Sequence, residues 1–236
     1  HSTSRRQRQM CIRDRKNMDI KYIGHSAFEI KLKDNSVLID PFVSINPKYD
    51  WRASNITDIF VTHGHGDHLG QAIEIAKEKD ATISAVFELG KYCEEQGCKA
   101  KAVGLGGWID YDWGRAVFVP AFHTSSLPDG RYAGVAAGVI LDVEGVRIYH
   151  AGDTALTSEM KTIKELYRPN IAMLPIGGYY TMDVEHAAMA AHWVGAQTVI
   201  PMHYNTFPQI QADLQRFNAL LQVNNANCVV LDPEKI

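Results

Sequence analysis

The chain has 236 residues, of which 46% are hydrophobic and 22% charged, with a formal net charge of -3. That length and composition suit a soluble domain with a sizeable core, while the charge offers no overall basic field for nucleic acid. The longest apolar runs, 133–141 and 171–176, fall far short of the roughly 20 residues that a membrane-spanning helix needs.

Residues 1–17 (HSTSRRQRQMCIRDRKN) are basic, lack an apolar segment and show no periodicity. A secretory signal is excluded by the missing hydrophobic stretch. The segment is predicted to be a disordered leader that resembles translated adapter sequence, with Met18 as the natural start. Residues 18–236 are predicted to form a single domain.

From Met18 onward, strands alternate with helices. After a strand-like opening, Phe28, Ile30 and Leu32 alternate with charged residues, the period of a half-buried strand. The turn Asp34-Asn35 leads to a hairpin partner over Val37–Asp40. An apolar strand over Ile56–Thr62 runs into a histidine cluster, followed by a predicted helix over Gly70–Lys79. Strand Thr82–Val86, helix Glu88–Gln96 and strands Ala100–Val103, Trp108–Tyr111 and Ala116–Pro120 come next. Ala137–Val143 and Val146–His150 read as strands joined by a hairpin turn at Glu144-Gly145. Helix Ser158–Leu166, strand Ile171–Pro175, helix Val184–Val194, strand Thr198–Met202, helix Ile210–Val223 and a closing strand Cys228–Leu231 complete a mixed α/β domain. The four cysteines, Cys11, Cys93, Cys98 and Cys228, form no Cys-x-x-Cys pair; neither a zinc ribbon nor a disulfide framework is expected, and a cytoplasmic, reducing location fits.

The chemistry concentrates where strands end. His63-x-His65-x-Asp67-His68 sets three imidazoles and a carboxylate within six residues, ligand types that suit zinc, manganese or iron(II). Gly64 and Gly66 are expected to let the backbone turn tightly enough for these side chains to converge. A polar loop in which Asp67 caps the next helix is the simpler alternative, but four ligand-type side chains at this spacing favour a metal. His123, Asp153 and His203 each follow a strand as well, and strand ends are where open α/β sheets collect ligands.

This pattern resembles the metallo-β-lactamase superfamily, in which His-x-His-x-Asp-His is followed by a lone His, a lone Asp and a last His. Residues 24–28 (GHSAF), 38–42 (LIDPF), 177–182 (GGYYTM) and 201–208 (PMHYNTFP) are similar to a branch of metal-dependent hydrolases near the ascorbate-6-phosphate lactonases. The resemblance implies a four-layer αβ/βα sandwich of two mixed sheets flanked by helices. It also implies two divalent metal ions, Zn2+ first, with Mn2+ or Fe2+ accepted by the same ligands. By motif, His63, His65 and His123 hold one metal, Asp67, His68 and His203 the other, and Asp153 bridges both. β-Lactamases of the dinuclear class usually carry Cys where Asp153 stands, so antibiotic hydrolysis is not implied.

The implied function is hydrolysis of a small ester, lactone or phosphodiester through a metal-bridging hydroxide, with Asp67 and Asp153 as catalytic carboxylates. His25, Asp40 and His150 are candidates to orient the ligands, and His186 is a weaker candidate for a pocket acid. The partner expected is a small-molecule substrate; nucleic acid is not expected, and a homo-oligomer is left open. Alternatives on the same fold are an iron-dependent oxidoreductase and an RNA-processing nuclease. Nuclease relatives carry a basic RNA-gripping arm, and no inserted basic Gly/Pro-rich segment is seen here. The sulfur-oxidising relatives usually lack some second-metal ligands, whereas Asp67, His68 and His203 all stand.

Overall fold

The structure, a computed structural model, describes residues 18–233; the predicted leader, residues 1–17, lies outside the described residues. Two mixed sheets face one another, with helices on their outer faces, as the resemblance implied. The first sheet is six-stranded, in the order β1 (Asp19–Gly24), β2 (Ala27–Lys31), β3 (Ser36–Ile39), β4 (Ile56–Phe60), β5 (Thr82–Val86), β6 (Lys99–Val103). β1, β2 and β3 form an antiparallel meander, after which β3 to β6 run parallel. The second, seven-stranded sheet comprises β7 (Ile109–Tyr111), β8 (Gly114–Pro120), β9 (Ala137–Val143), β10 (Val146–His150), β11 (Ile171–Pro175), β12 (Thr198–Met202) and β13 (Asn227–Cys228), each beside the next.

The core lies between the sheets. Phe60 of β4 meets Phe118 of β8 with ring centroids 6.0 Å apart, and both side chains are fully buried. Phe28 of β2 meets the ring of His150 of β10 edge-on at 5.6 Å. Full burial of one such phenyl ring stabilises by about 1.5–3 kcal/mol. β9 is buried at all seven positions because sheet neighbours and both faces cover it. That is why it reads as a continuous apolar run rather than an alternating one.

The sequence-predicted strands recur closely, β5 and β9 to β12 with identical limits, except the closing strand, expected over Cys228–Leu231 and found only as Asn227–Cys228. Two helix limits differ. The helix expected over Gly70–Lys79 is α2 (Ala72–Lys79), separated by a break from an unexpected single turn before it, α1 (Gly66–Leu69). The break falls at Gly70, whose φ of +46 and close approach to the Pro41 carbonyl leave no room for a side chain. α3 (Phe87–Glu95), α4 (Glu159–Tyr167) and α5 (Val184–Val194) follow the expected pattern. α6 (Leu214–Val223) begins four residues later than expected. There Asp213 caps the helix, accepting from the N–H groups of Gln215 and Arg216, while Ile210 is buried in the preceding loop.

Among the described residues no helix is long and apolar enough to cross a membrane. Cys93, Cys98 and Cys228 are free thiols, and Cys11 lies outside the described residues. Burial pushes the Cys93 thiol up to about 12, as expected of an inert core cysteine.

Candidate metal centre

One edge of the sandwich gathers the ends of β1, β3, β4, β8, β10 and β12, and each delivers a polar side chain there. His25 follows β1, Asp40 follows β3, and the run His63–His68 follows β4. From the second sheet come His123 after β8, His150 and Asp153 around the end of β10, and His203 after β12. The two sheets are stitched together at this edge: Ala137 N–H donates to the Thr62 carbonyl at 3.1 Å, and His203 N–H to the His25 carbonyl at 2.7 Å.

Within the histidine run, His63 Nε2 and His65 Nδ1 converge to 3.0 Å. The His123 ring stands edge-on to both, with centroids 5.2 and 5.3 Å away. These three offer nitrogen atoms close enough to hold one ion. A second group consists of His25, Asp67, His68 and His203, and a third of His63, His68 and Asp153. Asp153 stands between the first two: its Oδ2 lies 3.1 Å from His203 Nε2 and 3.6 Å from His123 Nε2, and its Oδ1 lies 3.2 Å from His68 Nε2. All seven residues singled out from the sequence thus come together, although His63 and His203 lie 140 residues apart in the chain.

The donor set fits a divalent cation. His68 Nε2 and Asp153 Oδ1 are buried and face one another, yet neither has an aligned hydrogen-bond partner. Leaving such groups unsatisfied costs about 1–3 kcal/mol each, a cost that a cation lying between them removes. Imidazole nitrogen with carboxylate oxygen is also the mixture that borderline transition metals accept.

Charge in the cluster follows from burial and from the neighbouring groups. Burial holds His63 well below the usual imidazole range, and the His68 charge adds to this. Burial likewise lowers His25, His65 and His123, which leaves their lone pairs free to ligate. His68 is the exception: burial opposes its charge, but Asp153 and Asp40 outweigh it and hold the ring well above the usual range. Burial also opposes the charge on Asp153, and His68 and His203 overcome it to keep the carboxyl well below its ordinary value. Asp67 is held low by His25 and His68 against its own burial. Ligation of a cation by His68 needs the neutral ring.

Supporting groups lie one layer out. Asp40, fully buried, accepts from His68 Nδ1 at 2.7 Å and from the backbone N–H and hydroxyl of Thr62. His150 Nε2 donates to the Ser26 carbonyl, and its Nδ1 accepts from Gly152 N–H, fixing the turn that presents Asp153. His25 is closer in than sequence reasoning placed it: its Nε2 donates to Asp67 Oδ2 at 2.9 Å, and Thr206 Oγ1 lies 2.6 Å from its Nδ1. Asp67 therefore does not cap the following helix, because α1 has no side-chain cap. His186 is exposed on α5 near Asp183 and stays outside the cluster. Thr154 carried no motif in the sequence, and Thr206 lay within the run 201–208 without a role of its own. Thr154 Oγ1 accepts from Phe122 N–H, and its carbonyl accepts from Met182 N–H, joining the loops after β8, β10 and β11.

Of the two glycines in the run, neither has positive φ, so the expected tight turn is not their role. At Gly64 an added Cβ would lie 2.4 Å from the Ala133 Cβ, so the position is closed by the approach of the second sheet's loop. Gly66 has open space, with Pro128 Cγ the nearest contact at 3.6 Å.

The Beta-lactamase superfamily domain matches residues 19–203. The chain is 44% identical over 212 residues to the UPF0173 metal-dependent hydrolase of Bacillus cereus (strain ATCC 10987 / NRS 248), covering 87% of this chain and 93% of that protein. Among solved structures, Igni18, a novel metallo hydrolase from the hyperthermophilic archaeon Ignicoccus hospitalis, is 34% identical. It superposes with a TM-score of 0.85, covering 92% of this chain and 96% of its own. The metallo-beta-lactamase fold protein YhfI from Bacillus subtilis, at 13% identity, shares the fold with a TM-score of 0.72 over 91% of this chain and 96% of its own. With the fold, the histidine–aspartate cluster and these relatives in agreement, the chain belongs to the metallo-β-lactamase superfamily, among its metal-dependent hydrolases.

Proposed function

We propose that this hydrolase holds two divalent ions and cleaves a small ester, lactone or phosphodiester. The observation that carries the reading is Asp153, whose two oxygens face His68 on one side and His203 and His123 on the other. His63, His65 and His123 would hold one ion, and Asp67, His68 and His203 the other, with Asp153 shared. Zinc is the first choice for such a set, with manganese or iron(II) as alternatives. Divalent ions bound there supply Lewis acidity and lower the pKa of a bound water.

The chain's own residues perform the positioning. Asp40 accepts a hydrogen bond from the Nδ1–H of His68, so that Nε2 points its lone pair at the site. Thr206 and Asp67 hold the His25 ring between them, which in turn fixes the Asp67 carboxylate. Asp67 keeps 29% of its side chain exposed, whereas Asp153 keeps 3%. Asp67 is thus the carboxylate open to the entering water.

Elemental analysis of the purified full chain, paired with a screen of esters, lactones and phosphodiesters, tests this. Two equivalents of metal per chain and turnover that disappears with chelator are expected. A single equivalent, or full turnover after chelation, would sink the two-ion reading.

A further inference from the structure

Five of the eleven large hydrophobic side chains exposed among the described residues stand on the loops after β8 and β11, at the metal edge. Monomeric proteins rarely cluster exposed apolar groups without a use for them. Phe122, beside His123, is 75% exposed, and Tyr179 and Tyr180, in the loop after β11, are 78% and 52% exposed. Their two segments are tied to Thr154, the neighbour of Asp153, by the Phe122 and Met182 N–H groups. Tyr132, 68% exposed, pairs with Ser126 and precedes the Ala133 that packs on Gly64 in the histidine run. Tyr179 is held at a φ of +59, a conformation that costs a non-glycine residue energy and marks a position fixed by its surroundings.

A second observation points the same way. The side-chain partners described for His25, His63, His65, Asp67, His68, His123, Asp153 and His203 are one another, Asp40, Thr62 and Thr206. Arg131, on the same loop as Tyr132, is paired with Asp129. Recognition of a phosphoryl group ordinarily uses Arg or Lys beside the reacting centre. Aromatic rings instead offer broad apolar contact with a polar edge.

We propose that the substrate is a carboxylic ester or lactone with a neutral, apolar body, received by the rim of Phe122, Tyr132, Tyr179 and Tyr180. This rests on the hydrolase reading above and narrows it. In the reaction the acyl carbon gains a bond to the water oxygen and loses its bond to the alcohol oxygen. The water's proton passes to that departing oxygen, giving one acid and one alcohol.

The metal-replete full chain should be assayed on p-nitrophenyl acetate, butyrate and octanoate and on bis-p-nitrophenyl phosphate. kcat/KM should rise by about 10- to 100-fold from acetate to octanoate, and the phosphodiester should be the poorest substrate. The Tyr179→Asn/Tyr180→Ser double variant, with asparagine chosen to tolerate positive φ, should flatten that rise. It should also weaken calorimetric binding of the unreactive ketone 2-decanone by about tenfold. Octanoate no better than acetate, or a preferred phosphodiester, overturns the proposal while leaving the hydrolase reading intact. Loss of 2-decanone binding in the variant with no ester turned over by either protein shows a rim that binds apolar bodies but overturns the ester or lactone substrate. If sedimentation shows a wild-type dimer that the double variant dissociates, the rim is a subunit interface and the proposal fails.

Discussion

His63, His65, Asp67 and His68 reach the site from six consecutive residues after β4, whereas His123, Asp153 and His203 arrive from three loops 30 and 50 residues apart. The first group depends on one turn and one short helix, α1, which hold their geometry locally. The second group depends on sheet register. Parallel pairing of β10 with β11 (His150 opposite Met173) and of β11 with β12 (Pro175 opposite Met202) brings the loop of Asp153 level with that of His203. A compact motif therefore supplies most of the candidate ligands, but the residue placed to join both groups comes from the dispersed half.

The sharpest way to break this comparison is to alter the joining carboxylate on each side. Asp153→Asn should lose metal from both groups and reduce kcat/KM by well over the roughly 100-fold typical of a supporting residue. Asp67→Asn should deplete one equivalent and retain the other. If metal analysis shows equal losses for the two variants, the distinction between a shared and a single-group carboxylate fails.

Next in size is a supporting residue. Asp40→Asn removes the acceptor that orients His68, and metal affinity measured by chelator competition should fall about 10- to 100-fold. Unchanged affinity would show that burial alone fixes that ring.

The packing of the two halves can be separated from their chemistry. Gly64→Ala forces a Cβ against Ala133, and should cost about 1–3 kcal/mol in urea unfolding. Gly66→Ala meets open space and should change stability by less than about 0.5 kcal/mol. Similar values for the two would mean that the second sheet's loop yields readily at Gly64.

The smallest expected effect lies far from the site. Asp213→Ala removes the α6 cap and should cost about 1 kcal/mol without altering metal content. Loss of metal in that variant would show that α6 holds the His203 loop, tying the dispersed half to the helical layer as well.

The strands were legible because their periodicity is intrinsic. β5 and β9 to β12 end where the apolar pattern ends, since a one-residue slip would turn the buried face outward. Helix starts were less legible, because a start is decided by which side chain finds an N–H to cap. Ile210 continues the apolar face of α6, yet the helix begins only after Asp213. Likewise the helix expected from Gly70 begins only at Ala72, after a break at Gly70 beside the Pro41 carbonyl, a neighbour 29 residues earlier.

By itself the sequence determined the fold class, the superfamily and the seven residues that meet at the edge, because ligand identity and spacing are covalent properties of the chain. Tertiary structure decided how they are grouped. It placed His25 against Asp67 rather than one layer out, through a backbone φ of +56 and a partner in Thr206. It also made Thr154 the tie between three loops and moved the reason for Gly64 from turning the chain to admitting the second sheet. These contacts join residues 28 to 181 positions apart. Their geometry exists only once two independently patterned sheets have packed face to face.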